Sequence, residues 1–151
     1  MNNITFLKPN LVDIEIISSS KSKIVIQPLE RGFGHTLGNA LRRVLLSSMP
    51  GSAVTEVSIE NILHEYSTID GVQEDVLEIL LNIKKLALVL HEKEKIDVVL
   101  RKNGKGPVLA SNIESHPNLE IKNPDFTIAN ITNEKTELVI NLTISQGKGY
   151  Q

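Results

Sequence analysis

Three glycines, Gly32, Gly34 and Gly38, follow an alternating apolar stretch and open a helical one. A phosphate-cradling loop would stand at such a place. Their spacing is G-x-G-x-x-x-G, so the third glycine falls one residue late for the helix–strand contact of a dinucleotide fingerprint. No Gly-Lys-Ser/Thr follows to make a Walker loop. The plainer expectation is a tight turn at Gly32 and Gly34 and a close-packing position at Gly38, where a missing Cβ lets a backbone approach. A small phosphate-cofactor-binding enzyme using the Gly32–Gly38 loop stands as the alternative. The four histidines, His35, His64, His91 and His116, are too scattered for the i, i+3 or i, i+4 pairs that gather a metal on one helix face. Cysteine is absent, and no serine sits in a G-x-S-x-G elbow. Asp13, Asp70, Asp75, Asp97 and Asp125 are dispersed, and two-metal phosphoryl chemistry needs clustered carboxylates. These patterns predict no catalytic residue, no cofactor and no metal in this chain.

The elements that would position any site form an α+β pattern of antiparallel strands with two amphipathic helices. Val12, Ile14 and Ile16 alternate with Asp13 and Glu15, and Ile24 and Ile26 repeat the alternation, which predicts a hairpin of half-buried strands over 11–17 and 23–28. Helical spacing takes over at 35–49, with Leu37, Leu41, Val44 and Leu45 on one face, and Pro50-Gly51 stops it. Thr55, Val57 and Ile59 predict a further strand. A second helix is predicted over 72–85, with Val72, Val76, Ile79, Leu80 and Ile83 on its core face. Glu74 and Asp75 near its start and Lys84-Lys85 at its end suit the helix dipole. Short strands are predicted at 86–90, 96–101, 119–122, 126–132 and 137–145, with turns at Asn103-Gly104 and Asn133-Glu134.

The chain has 151 residues, 40% of them apolar and 23% charged, with a net charge of −2, the balance of a globular protein. Tryptophan is absent and aromatics are few, so a nucleic-acid site built on stacking is not expected. No apolar run is long enough to span a bilayer. With no cysteine to protect, a reducing cytoplasm is the expected compartment. The Asn-x-Thr strings at Asn3, Asn130 and Asn141 are read as chance matches to the glycosylation pattern. Residues 1–50 carry six Lys/Arg against three acids, and residues 51–151 ten against fifteen. The sign change coincides with Pro50-Gly51 and places a domain boundary there. The basic excess is too small for a DNA-binding stripe, so protein partners are expected and direct DNA contact is not.

The outer faces of the two helices narrow this further. With Leu41 at the centre of the first apolar stripe, a helical wheel puts Asn39, Arg43 and Leu46 on the opposite face. An outward arginine beside an outward leucine is the composition of an interface anchor. On the second helix Glu78, Leu81 and Lys85 lie opposite the Val76 stripe. Apolar residues on otherwise polar faces suggest a subunit of an assembly.

The run from Leu29-Glu30-Arg31-Gly32-Phe33-Gly34-His35-Thr36-Leu37-Gly38-Asn39-Ala40-Leu41-Arg42-Arg43 through Leu45-Leu46-Ser47-Ser48-Met49-Pro50-Gly51 resembles the amino-terminal domain of the bacterial DNA-directed RNA polymerase alpha subunit. So do Phe6-Leu7-Lys8-Pro9, His64-Glu65-Tyr66-Ser67-Thr68, Gly71-Val72-Gln73-Glu74-Asp75 and Gly147-Lys148-Gly149-Tyr150, in order along the whole chain. The resemblance implies a non-catalytic scaffold for a nucleotidyltransferase. In that family two alpha chains form a homodimer and nucleate assembly of the beta and beta-prime subunits, which hold the active site.

It further implies that 1–50 is the first part of the dimerisation domain and 51–151 the domain inserted into it. By the same resemblance Arg43 and Leu46 match beta contacts, and Glu78 and Lys84 match positions linked to beta-prime. Leu37, Leu41, Val44 and Leu45 lie on the helix of the dimer interface. Family members continue past the position of Gln151 to complete the dimerisation domain and add a DNA-touching carboxy-terminal domain. The expectation is therefore that this chain makes no direct DNA contact, and that residues 1–50 are less stable than 51–151.

Overall fold

The structure is a computed structural model that describes residues 7–149. Phe6 and Tyr150 of the motifs above, and the Asn3-Ile4-Thr5 string, lie outside the described residues. The fold is α+β with antiparallel sheets, and the chain divides after Ser48 into two compact units.

In the first unit, β1 (Leu11–Ser18) and β2 (Lys21–Gln27) form the expected hairpin, with Ile14 opposite Ile24 and Glu15 opposite Lys23. The period-2 pattern identified the strands but not their burial. All of β1 is exposed, because neither face of this two-stranded sheet is covered by the rest of its unit. Gly32 then turns the chain with φ +85°, and α1 (Phe33–Ser48) begins at the next residue. The helix therefore starts two residues earlier than the periodicity predicts, and Gly34 and Gly38 are helical. A Cβ at Gly38 would meet nothing within 4 Å, so the expected close packing is not found among the described residues. No residue of α1 is buried.

The second unit holds the core. β3 (Pro50–Ile59) pairs along its length with the long β9 (Glu137–Lys148), which also pairs with β5 (Lys95–Asn103). Together with β4 (Leu88–Leu90) and β7 (Leu119–Ile121) they make a five-stranded sheet in the order β5-β9-β3-β4-β7. Alternation sends Ile96, Val98 and Leu100 of β5 inward beside Ile144, Leu142 and Ile140 of β9, while Asp97 and Arg101 face out. A one-residue bulge at Thr55 offsets β3 against β9, and the Thr55 hydroxyl lies 3.1 Å from that of Ser145. The second helix, α2 (Val76–Ile83), buries Val76, Ile79 and Ile83 against a small second sheet of β6 (Gly106–Leu109) and β8 (Thr127–Ile131) and the main core.

Two differences from the predicted elements have one cause. The helix expected over 72–85 is only eight residues long, since Val72 bridges to Ile131 and the Gln73 N–H donates to the Asn130 carbonyl at 2.9 Å. Pairing with β8 thus takes the residues that helical periodicity would have kept. Glu74 reinforces it, its carboxylate accepting from the Asn130 backbone at 2.6 Å and side chain at 2.8 Å. Strand β6, which carries Gly106 and Pro107, is not among the predicted strands. On the edge of a two-stranded sheet the missing proline N–H is tolerated.

Candidate partner-docking surfaces

Asp75 caps α2: its extended backbone leads in and its carboxylate accepts the Glu78 N–H at 2.7 Å. Glu78 is thereby fixed in the first turn with its side chain in solvent, where a negative charge suits the helix dipole. At the far end Lys84 is the C-cap, donating its N–H to Leu80 at 3.1 Å. Two asparagines hold that end in place. Asn82 donates to the Ile128 carbonyl at 3.0 Å, and Asn123 spans Lys85 and Ala87, donating to one and accepting from the other. Glu78 and Lys84 are both exposed and stand about 9 Å apart along the axis. Six residues of helical rotation set them on different sides of α2. Lys85 lies in the turn beyond the helix, where its ammonium donates to Asn82 Oδ1 at 3.2 Å, and Leu77 and Leu81 of α2 are exposed.

On α1, Arg43 and Leu46 are exposed, Leu46 at 64%. Leu41, Val44 and Leu45 of the supposed core stripe are exposed too, at 46%, 55% and 56%, and Leu37 is half-buried. The wheel's contrast between an inward and an outward face is therefore not realised as burial. Both faces of the helix are open.

Among the described residues no group of three His, Asp or Glu is gathered as a metal site. Three of the four histidines have hydrogen-bond partners. His64 Nδ1 lies 3.0 Å from the Ser67 hydroxyl, and His116 Nδ1 accepts from the Asn118 N–H at 3.1 Å. His91 sits 3.4 Å from Glu120, whose carboxyl is held below the ordinary glutamate value, first by the hydrogen bond from Lys122 and then by that from His91. The supposed phosphate loop is not a loop, since Gly34 to Gly38 lie inside α1.

Two features escaped the sequence reading. The connection from β3 to α2 holds Leu63 and Tyr66 almost wholly in solvent, with no periodicity to mark them. The second is an open groove of about 650 Å³ within the second unit, where β3 and β9 meet the carboxy-terminal half of α2. Val54, Val57, Leu80 and Ile83 give it an apolar lining, and Lys84 and Lys148 add the charge. Its walls come from segments far apart in the chain, so no local pattern announces it.

No helix of the described residues is long and apolar enough to cross a membrane. Residues 57–151, which take in the end of β3 and every later element, match the family described as the RNA polymerase Rpb3/RpoA insert domain.

Proposed function

The chain belongs to the RNA polymerase Rpb3/RpoA insert-domain family, and from that premise we propose that it is an alpha-type assembly scaffold of a bacterial-type RNA polymerase, working in the cytoplasm. A polymerase-subunit role follows from the family; the partners are our reading. Residues 1–50 are the first part of a dimerisation domain and 51–151 the insert. Arg43 and Leu46 dock beta, and Glu78 and Lys84 dock beta-prime. Leu37, Leu41, Val44 and Leu45 serve the homodimer. The scaffold contributes surfaces, and the large subunits contribute the chemistry.

The observation that carries this reading is α1, sixteen residues long with an apolar and arginine-bearing surface and none of it buried. Exposed apolar area of this kind supports an interaction role. Arg43→Ala is expected to leave circular dichroism and melting nearly unchanged, since surface substitutions move stability by less than ~0.5 kcal/mol. Co-purification with beta should fall by about thirtyfold, the equivalent of ~2 kcal/mol for a truncated interface arginine. Leu46→Ala tests the same helix independently. An Arg43→Ala chain that captures beta as well as its parent overturns the assignment.

A further inference from the structure

Among the described residues nothing requires a glycine at position 51. It lies within β3, opposite Gly147 of β9, and its φ is not in the left-handed region. A Cβ built there would meet nothing within 4 Å. A glycine in a strand costs conformational entropy and offers no side chain to pack, and such positions mark the close approach of a ligand or another backbone. Both glycines line the apolar groove beside α2.

The charge at the groove is of one sign. Lys84 and Lys148 line it, no carboxylate of the described residues does, and neither lysine forms an ion pair with a described residue. This holds in a part of the chain, 51–151, that carries ten basic against fifteen acidic residues. A cationic, apolar groove in an acidic unit is complementary to an apolar segment that carries a carboxylate. Its volume lies within the ~300–1,000 Å³ range of ligand clefts, room for a few residues of extended chain. The bare, exposed backbone at Gly51 adds main-chain contact, the usual source of affinity for an extended peptide.

We propose that this groove receives an extended, apolar segment bearing Asp or Glu from a polymerase large subunit, its backbone passing over Gly51 and its carboxylate meeting Lys84 and Lys148. The proposal rests on the assembly reading above, and supplies the chemistry of the segment that Lys84 meets.

Gly51→Val is the sharpest test, because valine favours strands and its side chain enters open space. The full-length variant is expected to melt no lower than its parent, yet to capture the cognate beta and beta-prime subunits at least tenfold more weakly. In parallel, a photo-crosslinking benzoylphenylalanine in place of the exposed, groove-lining Ala53 should label one large subunit, and mass spectrometry should map the label to an apolar stretch with Asp or Glu. A Gly51→Val chain that captures both subunits as its parent does overturns the groove and leaves the assembly reading intact. Labelling confined to this chain or a second copy does the same. A parent chain that captures neither large subunit overturns both.

Discussion

Gly71→Ala should unfold the second unit far more readily than its single methyl suggests. Gly71 has φ +82°, a conformation that costs an L residue about 1–2 kcal/mol. The new Cβ would also overlap Thr136 Oγ1 and the Asn133 side-chain amide, which pack directly against the glycine. Those groups are not free to leave. The Thr136 hydroxyl donates to the Asp70 carbonyl at 3.1 Å, and Asn133 Oδ1 accepts from the N–H groups of Lys135 at 3.1 Å and Thr136 at 2.8 Å, closing the turn between β8 and β9. Losing one or two such bonds adds about 0.5–1.5 kcal/mol each. The expected total is about 2–4 kcal/mol, and at ~4–8 °C per kcal/mol for a domain of this size the melting temperature should fall by roughly 8–32 °C. Urea unfolding followed by circular dichroism measures it. Gly51→Ala is the internal control, expected within ~0.5 kcal/mol of the parent because its Cβ meets open space. Adding Thr136→Ala to Gly71→Ala removes one overlapped atom, so the double variant should lose less than the sum of the singles. A Gly71→Ala cost below about 1 kcal/mol would refute the clamp.

The two helices should differ in hydrogen exchange. α2 anchors three buried side chains worth ~1.5–3 kcal/mol each, whereas α1 buries none and must rest on a marginal intrinsic helicity, so amides of 35–48 should exchange faster than those of 76–83. Equal, strong protection of both in a dilute sample would contradict this. Glu120 titrates below the ordinary glutamate range because Lys122 and then His91 donate to its carboxylate, so its stabilising contribution is present above that range and fades as pH falls through the lowered value. By NMR, Lys122→Ala should raise the Glu120 midpoint toward normal, and an unmoved midpoint would show that the lysine is not the cause.

Local pattern carried much of this protein. The alternation in 11–17 and 23–28 and the helical spacing of 35–49 marked β1, β2 and α1 within two residues at each end, because strand and helix periods are properties of a few consecutive side chains. β5 and β9 were legible for the same reason, and so were the turns at Asn103-Gly104 and Asn133-Glu134. The long block from Leu29 to Gly51 carried the family resemblance, and residues 57–151 match that family's insert domain. What only tertiary structure decided concerns residues whose partners lie far along the chain. Val72 to Glu74 have helical periodicity but pair with β8 some 56 residues on, which delays α2 to Val76. β6 exists because β8 lies beside it. Burial was also beyond local pattern, since Ile14 and Ile140 are alike in their own strands and differ only in what covers them. Gly71 and Gly51 are the same residue type in the sequence. Tertiary contact makes one a clamp against Thr136 and Asn133 and leaves the other open to solvent, because the space around a Cα is set by chain that arrives from elsewhere.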